Sequence, residues 1–225
     1  MPSAHYPARV NTLAIPLGLD AVAVGFGGLA GALAARRRGF DIVGVLFLAV
    51  IGGLGGALLR DLLLQVPVRA LTSPWLLPSA FIGGALVAPL LKVVGPMRFR
   101  RDAAFTLLDA ISLAMYSTLG TDRAMTAGLP PISCLFVGTV AGVGGALIRD
   151  VLINEQPEHF KPGSFYVLAA IPGCIAYFVL RTLELPVLVS ALISISVVIA
   201  IRMSSWSLDW QTGRRPSRPS RSARP

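Results

Sequence analysis

Two nine-residue stretches stand 89 residues apart, Gly53-Leu54-Gly55-Gly56-Ala57-Leu58-Leu59-Arg60-Asp61 and Gly142-Val143-Gly144-Gly145-Ala146-Leu147-Ile148-Arg149-Asp150. Each sets glycines and then an ionisable Arg-Asp pair inside an apolar run, where both are costly unless something holds them. The same shift lays Asp20 on Asp109, Gly31 on Gly120, Gly39 on Gly128, Leu46-Phe47 on Leu135-Phe136 and Gly84 on Gly173. Residues 11–95 and 103–181 therefore read as two copies of one unit.

Composition decides what kind of unit. Of 225 residues 54% are apolar and only 14% charged, with a mean hydropathy of +0.71, which is too apolar for an ordinary soluble domain. A bilayer core needs roughly 17 to 25 apolar residues per helix. Seven such stretches lie at residues 11–34, 41–64, 75–95, 103–121, 130–153, 164–181 and 185–201. The fold class is an all-α polytopic membrane protein with seven transmembrane helices. Three spans in each copy make the second enter the membrane from the opposite side, giving two inverted three-helix repeats plus a seventh helix. One transmembrane domain over 11–203, its last helix at 185–203, leaves 204–225 as a basic, proline-rich tail expected to be disordered.

The net charge of +9 sorts by side of the membrane, and nucleic acid is not expected as a partner. Arg9, Arg69, Arg123 and Arg181 fall on the face of the N-terminus. Arg36, Arg37, Arg38, Lys92, Arg98, Arg100, Arg101, Lys161, Arg202 and the tail arginines fall on the other. Cytoplasmic loops carry the excess of positive charge, so the N-terminus is expected outside and the C-terminus inside. The first stretch is read as a span and not a cleaved signal, because Asp20 interrupts it and Arg36 to Arg38 oppose export of the chain beyond them. Cys134 and Cys174 both fall in spans and read as small packing residues.

The glycines admit two readings. Gly52, Gly53, Gly55 and Gly56 in the second span, with Gly142, Gly144 and Gly145 in the fifth, suit a helix break near the midplane, whose freed carbonyls and amides must face protein or a hydrated cavity. Gly52 with Gly56, Gly138 with Gly142 and Gly27 with Gly31 are also four apart, the spacing of close helix packing. The charge just beyond both clusters favours the break, since close packing requires no charge. Adjacent residues on a helix point about 100° apart, so Arg60 and Asp61 are not expected simply to neutralise each other. By depth the expected pairs are Asp20 with Arg60 and Asp109 with Arg149, leaving Asp61 and Asp150 toward water at the two mouths. Gly83-Gly84 and Pro172-Gly173 mark expected kinks in the third and sixth spans, and the hydroxyls of Ser112, Tyr116, Ser117, Thr118 and Thr121 give the fourth span a polar face.

Little suggests an enzyme. His5 and His159 are the two histidines, neither at metal-ligand spacing, and no nucleophile elbow or Walker loop is present. No metal and no cofactor are expected.

On the duplicated Gly-x-Gly-Gly-Ala-Leu-x-Arg-Asp motifs, the paired three-helix units and the added seventh span, residues 17 to about 203 resemble the prokaryotic relatives of the trimeric intracellular cation channels, which include glycine-transporter-domain membrane proteins. The resemblance implies a homotrimer in the bacterial inner membrane with a pore in each subunit, bordered by glycine-broken second and fifth helices. It makes Gly53, Gly55, Gly56, Gly142, Gly144 and Gly145 the kink residues, and implies permeation by potassium and other monovalent cations. Membrane lipids and the permeating ion are then the remaining partners. A secondary transporter of glycine or another small solute, its zwitterion held by the Arg and Asp residues, is the alternative that the same motif allows. An anion channel is a third reading, though seven spans and a single-chain repeat separate this chain from small fluoride exporters.

Overall fold

A computed structural model describes residues 17–94, 98–154 and 165–208, and the described residues are all helix and loop, with no strand. The helices are α1 (Leu17–Arg37), α2 (Ile42–Leu63), α3 (Arg69–Thr72), α4 (Leu76–Ala85), α5 (Val87–Val94), α6 (Arg98–Thr126), α7 (Pro131–Leu152), α8 (Tyr166–Thr182) and α9 (Val187–Ser207). Five of them are long and apolar enough to cross a membrane: Gly18–Arg37, Ile42–Leu63, Asp102–Thr126, Pro131–Leu152 and Val187–Ser207. The shorter apolar segments Leu76–Lys92 and Tyr166–Thr182 complete seven.

The repeat reaches down to the turns. α1 and α6 are each followed by a glycine in the left-handed region, Gly39 at φ 78° and Gly128 at φ 74°, where a Cβ would clash with the backbone. α2 and α7 are each followed by Gln65 at φ 53° and Asn154 at φ 54°. Both pairs are 89 apart, like the motifs. The helix starts have diverged: Asp41 accepts a hydrogen bond from the Gly44 amide at 2.8 Å, whereas α7 begins on Pro131, a residue suited to the first turn.

α2 and α7 cross at the centre through their glycines. A Cβ on Gly55 would lie 2.8 Å from Gly145 Cα, and one on Gly145 would lie 2.8 Å from the Gly52 carbonyl oxygen. α1 closes on the other side of α2, where a Cβ on Gly27 would lie 2.7 Å from that same oxygen. Both α2 and α7 run as unbroken helices through these positions. The expected break at Gly52, Gly53, Gly55 and Gly56 and at Gly142, Gly144 and Gly145 is thus corrected: with neighbouring backbones pressed against them, the glycines serve close approach, and the helix hydrogen bonds stay intact.

Elsewhere the spans shift modestly. The third divides at Leu86 into α4 and α5, just after Gly83-Gly84, while Pro172 lies inside a continuous α8. α9 continues to Ser207, so the helix extends past the expected boundary at 203; residues 209–225, which hold most of the tail, lie outside the described residues. The fourth span is the long central α6, packed on α7, α1, α9 and α8. Its hydroxyls mostly bond back to their own helix, Ser117 to the Leu113 carbonyl at 2.7 Å, Thr118 to Ala114 at 2.8 Å and Thr121 to Ser117 at 2.8 Å, as polar side chains in apolar surroundings do. Thr118 also meets the Ser194 hydroxyl at 2.8 Å, and Ser194 donates to the Gly173 carbonyl at 2.8 Å, fastening α9 to α6 and α8. Cys134 and Cys174 are buried free thiols.

Candidate functional site: two charged clusters and a constriction at the helix crossing

Near the end of α2, Arg60 is wholly buried. Its Nη1 donates to Asp20 Oδ1 on α1 at 2.8 Å, and its Nε donates to Asp61 Oδ1 at 2.8 Å. The second repeat does the same. Arg149 Nη1 donates to Asp109 Oδ1 on α6 at 2.8 Å, and Nε donates to Asp150 Oδ1 at 2.8 Å. Asp20 and Asp61 are each 1% exposed, Asp109 2% and Asp150 3%. Asp61 and Asp150 do not face water at the mouths, which corrects the sequence expectation: the 100° between adjacent Cα–Cβ directions is overcome because the long arginine side chain curls back and its Nε reaches the next residue's carboxylate. One guanidinium thus bridges two acids, a geometry its fork of donors favours.

Past this shared core the clusters differ. Asp20 Oδ2 also accepts from Arg69 Nη1 at 3.0 Å and Arg123 Nη2 at 3.3 Å, and the Arg69 backbone amide donates to Asp61 Oδ2 at 2.8 Å. Three arginines then face two aspartates. From sequence, Arg69 and Arg123 serve only as topology markers. The signal that would have found them is that the charge rule already put both on the face where Asp20 begins α1. Around Asp109 the added groups are aromatic: the Tyr166 hydroxyl hydrogen-bonds its carboxylate, Arg202 stacks over the Tyr166 ring at 4.6 Å, and Arg149 and Arg37 lie over the Phe105 ring at 5.1 and 4.9 Å. Arg37 is also ion-paired with Asp102.

Two hollows mark this charged file. A cavity of about 420 Å³ opens beside the first cluster, lined by Asp61, Leu64, Val66, Pro67, Arg69, Thr72, Arg123, Thr126 and Ala127. A second, much smaller hollow of about 10 Å³ lies at the α2–α7 crossing, against the second cluster, with room for a single water. This constriction is walled by Gly27, Gly52, Gly142 and Gly145 and by the side chains of Asp109, Ser112, Tyr116, Arg149 and Tyr166. The Tyr116 hydroxyl donates to the Gly53 carbonyl, tying α6 to α2 beside it. Of the glycines singled out in the sequence, Gly52, Gly142 and Gly145 line the constriction; Gly55 and Gly56 pack against Gly145 and the Ala141 carbonyl, Gly53 against Val24, and Gly144 against Leu59. No group of three or more His, Cys, Asp or Glu residues that could hold a metal occurs among the described residues.

The geometry has close counterparts. A family model described as "Glycine transporter" matches this chain twice, over residues 17–92 and 106–182, the two repeats. A UPF0126 membrane protein of Deinococcus radiodurans is 34% identical over 164 residues, covering 72% of this chain and 74% of that protein. The inner membrane protein YadS of Escherichia coli is 29% identical over 199 residues, covering 86% and 94%. Among solved structures, the trimeric intracellular cation channel orthologue from Rhodobacter sphaeroides superposes with a TM-score of 0.76 at 25% identity, covering 84% of this chain and 96% of that one. A prokaryotic channel of the same kind gives 0.78 at 26%, covering 85% and 95%.

Proposed function

Since the chain belongs to the glycine transporter family of membrane proteins, and shares its fold with prokaryotic cation channels, we propose that it is a passive channel for monovalent cations, potassium first among them. The observation that carries this reading is the lining of the constriction. Asp109, Ser112, Tyr116 and Tyr166, all with oxygen-bearing side chains, line one narrow hollow at the crossing of the repeats, and oxygen ligands suit a hard monovalent cation that has shed part of its water. The Arg149 charge there is balanced by Asp109 and Asp150. By the same reading each subunit of a homotrimer holds its own pore, as the description of the Rhodobacter sphaeroides relative as trimeric suggests. The Arg60 end faces outside and the Arg149 end the cytoplasm, on the charge asymmetry of the loops.

In this arrangement the passage is shut. About 10 Å³ at the crossing holds no hydrated ion, and the Tyr116 hydroxyl fixes its ring there by the bond to Gly53. Tyr116→Phe removes that bond at nearly constant volume and leaves the ring free to swing. Potassium efflux from liposomes carrying Tyr116→Phe is expected to exceed wild type severalfold; equal efflux would show that the ring does not control passage.

One observation favours the other reading, a carrier of glycine or a similar solute: among the described residues the inverted repeats border a large cavity beside the first cluster and only a water-sized hollow beside the second, an asymmetry that alternating access produces. Purified protein in liposomes, assayed in parallel for potassium current and labelled glycine uptake, separates them. Voltage-driven potassium current independent of glycine is expected. Saturable glycine uptake without current would replace the channel by the carrier.

A further inference from the structure

The large cavity beside the first cluster has a chemistry opposite to that of the constriction. Its acids are hidden and its bases are not: Asp20 and Asp61 are each 1% exposed, whereas the side chains of Arg69 and Arg123 are 30% and 16% exposed. Both oxygens of each acid already accept hydrogen bonds, Asp20 from Arg60, Arg69 and Arg123 and Asp61 from Arg60 and the Arg69 amide. Arg69 and Arg123 each give Asp20 a hydrogen bond from one terminal nitrogen only, out of five N–H donors per guanidinium. The buried Arg123 Nε has no hydrogen-bond partner among the described residues, which is costly for a donor removed from water. Within the hydrogen-bonded group itself three arginines face two aspartates, an excess of one positive charge, while the buried Asp122 next to Arg123 accepts from the Tyr177 hydroxyl at 2.7 Å. A cation entering the cavity therefore meets guanidinium groups and no accessible carboxylate, while an anion meets two forks of donors.

We propose that this cavity is a binding site for a small monocarboxylate, held by Arg69 and Arg123. Guanidinium groups bind carboxylates through paired, charge-assisted hydrogen bonds, and a single negative charge would neutralise the cluster. The rest of the wall selects among anions: Leu64, Val66, Pro67 and Ala127 receive a short alkyl group better than they receive a bare inorganic ion. The site holds a carboxylate but not a zwitterion, because no exposed acid is there to take an ammonium. The assignment does not depend on whether the protein is a channel or a carrier.

The test is thermal unfolding of the detergent-purified full chain at constant ionic strength, titrated separately with sodium propionate, sodium chloride, glycine and ethylammonium chloride. Propionate is expected to raise the midpoint saturably, with chloride and glycine at least about tenfold weaker and ethylammonium without effect. In Arg69→Gln/Arg123→Gln the propionate effect is expected to vanish. Should that variant fold poorly, Ala127→Trp blocks the cavity with both arginines in place and is expected to weaken propionate by at least about tenfold. Equal shifts with chloride, stronger binding of glycine, a shift with ethylammonium, or undiminished propionate binding in Ala127→Trp would each overturn the assignment. Potassium efflux, measured on the same preparation without any carboxylate, reports on the channel reading separately.

Discussion

Arg60→Ala is expected to yield a protein that accumulates poorly and melts far below wild type. Arg60 is wholly buried and is the shared partner of Asp20 and Asp61. Without it, Asp61 keeps one backbone amide as a donor and Asp20 keeps only its longer contacts to Arg69 and Arg123. Breaking a buried ion pair from one side costs about 3–5 kcal/mol, because a charge stays in low dielectric without its counter-charge. Replacing the group as a unit should cost less, so Arg60→Met with Asp20→Asn and Asp61→Asn is expected to recover most of the lost midpoint. Arg149→Ala should lower the midpoint as well, since Asp109 and Asp150 both pair with it. The measurement is the melting midpoint of detergent-solubilised protein, followed by potassium flux from the combined variant. A wild-type midpoint for Arg60→Ala would show the cluster to be incidental to the fold; near-normal flux from the combined variant would show its charges to be structural and not conductive.

The second large effect belongs to the helix crossing. Gly145→Val is expected to separate α2 from α7, because even the first carbon of the new side chain would lie 2.8 Å from the Gly52 carbonyl oxygen and 3.3 Å from the Gly56 nitrogen. Those neighbours are backbone and cannot rotate aside. Overpacking of this kind costs about 1–3 kcal/mol or more, and here it also displaces the walls of the constriction. Gly18→Ala is the matching control: nothing lies within 4 Å of the position, so a midpoint unchanged or slightly raised is expected, alanine being the better helix former. Equal losses from the two variants would remove close packing as the reason for Gly145.

How much of this was legible in the chain depends on what each inference required. The shift of 89 between motifs needed no structure, and it extends to the backbone, where Gly39 and Gly128, and Gln65 and Asn154, adopt matching left-handed turns. Depth along each span brought Asp20 to Arg60 and Asp109 to Arg149, because charges at like depth in hydrocarbon must find each other. Two expectations failed for physical reasons. Glycines four apart read alike whether a helix breaks or a neighbour approaches, and only the positions of α1 and α7 against α2 decide between them. Asp61 and Asp150 went astray because Cα geometry ignores the reach of a flexible arginine. The roles of Tyr116 and Tyr166 were illegible for another reason: the 89-residue shift lays them on Gly27 and Leu77, so no internal pattern marks them, whereas Arg69 and Arg123 were marked only by the side of the membrane they share with Asp20.

The serine fastening of α9 carries a consequence of its own. α9 has no counterpart in the first repeat and packs on α6 and α8, both from the second. Two inverted copies alone would present the same entrance to either side and conduct equally both ways. With Arg202 stacked on Tyr166 at one end, and Arg69 and Arg123 gathered on Asp20 at the other, an ion on the proposed path would meet the groups in a different order from each side. The seventh helix and the first-cluster arginines together break the symmetry of the duplication, and if ions pass as proposed, rectification of the single-channel current is the expected electrical signature.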